Sequence, residues 1–100
     1  MNKIGVIGAG TMGNGIAHVS ALSGFDTVLM DLKDEFVDRG LNTIRKNLKL
    51  QVKKEKIRQA DMDLSLEKIE IGTDYAKVSV CDLVIEAATE NEEIKIDIFK

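Results

Sequence analysis

The sequence predicts an α/β protein, a parallel sheet whose strands are joined by helical crossovers. Three observations carry this reading. Short apolar runs at Lys3–Ile7, Asp26–Met30, Ile69–Ile71 and Asp82–Ala87 alternate with longer amphipathic stretches, the pattern of βαβ units. The first run leads straight into Gly8-Ala9-Gly10-Thr11-Met12-Gly13, a G-x-G-x-x-G loop placed between a strand and a helix. An acid, Asp31, closes the second run, about 20 residues on, where a dinucleotide site needs one.

Each element has a local reason. Lys3–Ile7 shows little polar alternation, as expected of a parallel strand covered on both faces. Thr11–Ser23 reads as the first helix, with Gly24 at the position just past its end. Asp26–Met30 is the second strand. From Asp34 to about Val52 the apolar residues Val37, Leu41, Ile44 and Leu48 recur at the helical period. Lys53–Lys68 is highly charged and reads as helix with a break near Asp61–Asp63. Ile69–Ile71 is a short strand stopped by Gly72-Thr73, and Asp74 caps a helical turn through Val78. Asp82–Ala87 is the fourth strand. Glu90–Lys100 is expected to open a further helix. Its apolar pattern is still running at Lys100 with no Gly or Pro stop, so residues 1–100 are expected to be part of something longer.

Composition narrows the function classes. Lys+Arg 14 against Asp+Glu 17 gives a net charge of −3, which argues against general nucleic-acid binding. A single cysteine, Cys81, excludes an internal disulfide framework and fits a reducing cytoplasm. The first apolar run is short and broken by glycines, unlike a signal peptide or a membrane span. With one cysteine and one histidine, no metal site is expected.

The glycine loop has a chemical rationale. Gly8 permits a tight turn, Gly10 lets the backbone approach a pyrophosphate, and Gly13 lets the helix pack closely. Helix N-terminal N–H groups then face the phosphate charge. Asp31 would accept hydrogen bonds from ribose hydroxyls and repel a 2′-phosphate, which points to NAD. Lys33 is the one nearby basic residue. Glu90 has two readings, a helix N-terminal charge or a group beside a cofactor, for which the small Ala87-Ala88 would leave room. Glu86 lies inside an apolar strand and needs a partner if buried. His18 lies too far along the first helix to serve as a general base, and Cys81 reads as a small buried residue. Arg45, Lys46, Lys49, Lys53, Lys54, Lys56 and Arg58 form a basic run that is either a solvated helix face or a dock for an anionic group. No convincing acid or base for hydride transfer appears.

Ile4–Ala17, Asp31–Leu41 and Asp82–Asn91 resemble the 3-hydroxyacyl-CoA dehydrogenase family, and the likeness extends over essentially all residues shown. The resemblance implies a Rossmann-type sheet with a helical hairpin inserted after the second strand. It implies oxidation of an L-3-hydroxyacyl-CoA, or the reverse reduction, with NAD as cofactor and an acyl-CoA as substrate partner. By that similarity Gly8, Ala9, Gly10, Thr11, Met12 and Gly13 hold the pyrophosphate, Asp31 the adenosine ribose, and Glu90 and Lys95 the nicotinamide side. The hairpin contacts CoA through positions occupied here by Asn47, where serine is common, and Lys54. Residues 1–100 correspond to the N-terminal part of the NAD-binding domain. The catalytic groups and the helical domain that completes the substrate site and a homodimer or higher oligomer lie beyond residue 100. Two alternatives stand beside this one: a non-catalytic NAD-binding module, and a 3-hydroxyisobutyrate or 6-phosphogluconate type of dehydrogenase. The basic helical segment after strand two favours the first reading over the last.

Overall fold

The computed structural model describes residues 2–87 and, as backbone, 94–98. The elements run β1 (Lys3–Ile7), α1 (Thr11–Leu22), β2 (Asp26–Met30), α2 (Asp34–Lys53), α3 (Gln59–Glu67), β3 (Ile69–Gly72), α4 (Tyr75–Ser79), β4 (Leu83–Ala87) and β5 (Ile94–Ile98). The sheet order is β3-β2-β1-β4-β5. β1 pairs in parallel with both β2 and β4, and β2 pairs in parallel with β3. The chain builds outward from β1 to β3 and then crosses to the other side of β1 to place β4. The order therefore reverses between β1 and β4, the position where such sheets open a crevice at their carboxyl ends.

Helices cover both faces. On one, Ile4, Val6 and Leu29 of the sheet pack with Ala17 of α1, Val37, Ile44 and Leu48 of α2, and Met62 of α3. On the other, Val28, Met30 and Val84 pack with Val78 of α4 and with Cys81. This is why β2 is buried from Thr27 to Met30 without alternation. α2 is amphipathic in the simplest sense, with Val37, Gly40, Ile44 and Leu48 buried and the charged residues between them exposed. Burying each large apolar side chain is worth about 2 kcal/mol. α2 and α3 together form the helical hairpin expected between the second strand and the third. His18 Nε2 and Gln51 Oε1 lie 2.8 Å apart and tie α1 to the far end of α2.

Two expectations are corrected. A strand, β5, stands where a helix was expected over Glu90–Lys100, and it runs antiparallel to β4. Ile94, Ile96 and Ile98 alternate with Lys95 and Asp97, a period of two in β-branched residues that suits a strand better than a helix. The rest of that stretch lies outside the described residues. The break expected near Asp61–Asp63 is also absent, because α3 runs through it. The interruption comes earlier, between Lys53 and Gln59, where Glu55 takes a φ of 60°. Asp61 is a helix-starting residue instead: its carboxylate accepts the Arg58 N–H at 2.9 Å.

At the other end of the sheet, Asp82 Oδ2 accepts the N–H groups of Asn2 and Lys3 at 2.9 and 3.0 Å. These two donors hold the Asp82 carboxyl below the ordinary carboxylate range. A carboxyl lowered on folding stabilises the fold above its unfolded pKa and loses that contribution as pH falls through its folded one. The thermal stability of the wild type is expected to fall as pH drops below about 4. Asp82→Ala should be less stable than the wild type at neutral pH, and the gap should narrow in acid. An Asp82→Ala gap that stays constant from neutral to acid pH would contradict this role.

Candidate dinucleotide site

Three strand ends meet at the crevice. Ile7 ends β1, Met30 ends β2 and Ala87 ends β4. Together with Gly8, Asp31, Leu32 and Glu86 they line a cleft of about 300 Å³. A larger, shallower depression of about 470 Å³ runs along α2 alone and contains none of the glycine-loop residues.

The glycine loop is built by backbone contact. The Gly8 N–H donates to the Met30 carbonyl at 2.7 Å, which fastens the end of β1 to the end of β2. Gly8 has a φ of +104°, and a Cβ there would collide with the Ala87 carbonyl. A Cβ on Gly13 would fall inside the Gly8 carbonyl. Gly10 is the N-cap of α1; no side chain caps it and no acid stands in the first turn. The Asn14 N–H reaches the Gly10 carbonyl at 2.9 Å as the first closed helical bond. The helix itself therefore leaves the N–H groups of Thr11, Met12 and Gly13 unsatisfied at its positive end.

Asp31 faces this loop from β2. Its Oδ2 accepts the Ala9 N–H at 2.7 Å and its Oδ1 accepts the Leu32 N–H at 2.7 Å. Each carboxylate oxygen retains further acceptor capacity. Leu32 follows Asp31 with 82% of its surface exposed, an apolar side chain on the rim of the cleft.

The structure thus brings Gly8, Ala9, Gly10, Thr11, Met12, Gly13 and Asp31 together. Glu90 lies outside the described residues. Lys95 sits in β5 opposite Glu86 in the strand register, rather than on the helix expected there. Asn47 and Lys54 are exposed on α2 and at its C-cap. Lys54 lies roughly 20 Å further along the helix axis than the part of α2 nearest the glycine loop, so these two positions form a separate region. His18 is engaged with Gln51, away from the cleft. Cys81 is buried, its thiol donates to the Lys77 carbonyl at 3.6 Å, and burial pushes its pKa up. Among the described residues there is no metal-ligating cluster. Glu86 lines the cleft as well, a place that the sequence reading does not assign to it. Its signal was an acid next to the carboxyl end of an apolar strand.

The fit to a dinucleotide rests on chemistry present in the site. A crowded glycine turn brings backbone N–H groups to a positive helix end, and a carboxylate stands at the neighbouring strand end. Fold and site together define a dinucleotide-binding domain. Residues 3–100 match the family described as 3-hydroxyacyl-CoA dehydrogenase, NAD binding domain. A probable 3-hydroxybutyryl-CoA dehydrogenase of Deinococcus radiodurans is 50% identical over 98% of this chain, and 35% of that protein is covered. The 3-hydroxybutyryl-CoA dehydrogenase of Bradyrhizobium diazoefficiens is 46% identical over 99% of the chain and 34% of its own length. The crystal structure of (S)-3-hydroxybutyryl-CoA dehydrogenase from Ralstonia eutropha superposes with a TM-score of 0.87 at 43% identity, over 91% of this chain and 32% of that one. The chain belongs to the 3-hydroxyacyl-CoA dehydrogenase family, of which it is an NAD-binding domain. It spans about a third of the length of these relatives.

The Gly13–Gly8 contact yields a direct expectation. Gly13→Ala should destabilise the fold by about 3 kcal/mol or more, read as a lower urea midpoint, because the new methyl meets a backbone carbonyl that has nowhere to go. Wild-type stability in Gly13→Ala would show that α1 can back away from the loop.

Proposed function

We propose that this chain is the cofactor-holding part of an NAD-dependent enzyme that interconverts L-3-hydroxyacyl-CoA, with 3-hydroxybutyryl-CoA the substrate of choice, and 3-ketoacyl-CoA. The observation that carries the proposal is the cleft at the switch point, in which Asp31 is bonded to the glycine loop, on a chain that also inserts a helical hairpin after β2. The names of the relatives support the acyl-CoA substrate.

In this reading the N–H groups of the loop and of Thr11, Met12 and Gly13 bind the pyrophosphate. Asp31 accepts hydrogen bonds from the adenosine ribose and holds its carboxylate where a 2′-phosphate would sit. Glu90 and Lys95 serve the nicotinamide side. Asn47 and Lys54 contact CoA from the hairpin, away from the cofactor cleft. Bound NAD supplies the hydride acceptor. His18 is bonded to Gln51 away from the cleft, and the general base of this reading is assigned to residues beyond 100. No helix among the described residues is long and apolar enough to cross a membrane; a cytoplasmic homodimer or higher oligomer is the proposed setting.

Absorbance of reduced cofactor tests the reading. A protein that contains this chain together with the catalytic groups should reduce NAD with L-3-hydroxybutyryl-CoA. Residues 1–100 alone should bind NAD and show no turnover, since hydride transfer needs a base on the 3-hydroxyl. Turnover by residues 1–100 would overturn the assignment of catalysis to other residues, and failure of the longer protein to use any 3-hydroxyacyl-CoA would overturn the substrate class.

Cofactor choice gives a second expectation. Asp31→Ser with Leu32→Arg removes a negative charge and adds a phosphate partner at the rim. Fluorescence titration should show weaker NADH binding and stronger NADPH binding. An unchanged preference would remove Asp31 from the ribose role.

A further inference from the structure

Gly40 stands in the first half of α2, and it is buried. A glycine inside a helix costs stability relative to alanine, so its presence there asks for a packing reason. The reason is the glycine loop. A Cβ built on Gly40 would lie 2.8 Å from the Ala9 carbonyl oxygen and 3.0 Å from the Ala9 Cβ, with Leu29 Cδ2 at 3.4 Å. The nearest of these is backbone, which cannot rotate aside. Ala9 is itself buried, and its N–H is the donor that Asp31 Oδ2 accepts. Gly40, Ala9 and Asp31 thus form one stack, in which the helix backs the loop and the loop holds the carboxylate.

We infer that Gly40 is a positioning residue for the cofactor: it lets α2 press on Ala9 so that the Ala9 amide fixes the Asp31 carboxylate for the ribose. Gly40 touches no ligand in this scheme and acts through Ala9. The inference rests on the proposed seating of NAD at the glycine loop. It goes further by assigning the ribose contact a third partner on a helix outside the G-x-G-x-x-G motif. A methyl at position 40 pushes the carbonyl and the Cβ of Ala9 away from α2, which displaces residue 9 as a whole, and the 2.7 Å bond from its N–H to Asp31 is the contact that this movement spoils.

The test is calorimetric titration of NAD into the full protein and its variants, with thermal unfolding of each without NAD. Gly40→Ala is expected to raise the NAD dissociation constant about tenfold and to leave the unfolding midpoint nearly unchanged, because alanine favours the helix. In an Asp31→Ala background the same substitution should cost about twofold or less, since contacts that act through one another are not additive. Unchanged NAD affinity in Gly40→Ala overturns the inference. So does an equal loss with and without Asp31, which would mark a general loosening of the fold. If Gly40→Ala does not fold, the pair Gly40→Ala with Ala9→Gly takes its place. It removes the 3.0 Å methyl-to-methyl contact, which lowers the crowding that the fold must absorb, and it keeps the carbonyl contact, so it should bind NAD several-fold more weakly than Ala9→Gly alone. An affinity in that folded pair equal to that of Ala9→Gly alone overturns the inference. A wild-type protein with no affinity for NAD overturns the proposed function itself, and this inference with it.

Discussion

Between β1 and α1 the chain turns with no space between the Gly8 carbonyl and the α-carbon of Gly13. Everything at the carboxyl end of the sheet follows from that approach. α1 starts hard against the sheet, so its unsatisfied N–H groups point over the end of β1. The Gly8 N–H reaches Met30 across the strand pair, so β2 ends level with the loop and Asp31 comes within reach of Ala9. Hydrogen bonds to a charged group are worth about 1.5–3 kcal/mol, so the Ala9 contact adds to the packing that fixes the loop. Close packing of α1 is thus both a fold constraint and the source of the cleft.

The elements legible in the sequence were those with a local physical cause. After Lys3, the strand from Ile4 to Ile7 carries no polar side chain because both faces are covered. Asp74 was recognisable as a cap, and its carboxylate accepts the Ala76 N–H at 2.9 Å. The motif and Asp31 were legible because a strand, a glycine turn and an acid follow in a fixed order. What escaped the reading depends on tertiary contact or on an ambiguous charge pattern. Asp61–Asp63 looked like a breaker, and acids do interrupt helices by bonding to backbone. Here Asp61 sits at the third helical position, where the same bond starts one. Gly40, a glycine inside a helix, signals close packing, but not against what, since the loop it packs against lies far away in sequence. Glu90–Lys100 mixes helix-forming charges with alternating isoleucines, and at Ile94–Ile98 the alternation matches the strand that is seen.

The hairpin shows the same division of labour at larger scale. α2 touches the glycine loop early, at Gly40, and then runs on for more than three turns with its basic residues exposed. Ile44 and Leu48 hold this extension to the core, and the His18–Gln51 contact holds its end to α1. One rigid helix therefore serves two regions, with its first turns setting the cofactor loop and its last turns carrying cations away from the body of the sheet. On the proposed function the two regions meet different parts of the chemistry, the dinucleotide at one and an anionic carrier group at the other.

Charge is distributed over the cleft in a way that selects a ligand. The centre presents backbone donors and the positive end of α1, with no acid in its first turn. The flanks present carboxylates, Asp31 at the end of β2 and Glu86 in β4. An anion is stabilised at the centre and repelled at the flanks, where hydroxyl donors are favoured instead. A ligand that suits both has a negative middle and hydroxyl-bearing ends, which is the charge pattern of NAD. On the proposed function, a phosphate added to the ribose at the Asp31 end would bring two negative groups together, and their repulsion disfavours NADP. Discrimination against NADP on this account needs no dedicated steric block. It follows from the carboxylate that the Ala9 amide holds in place.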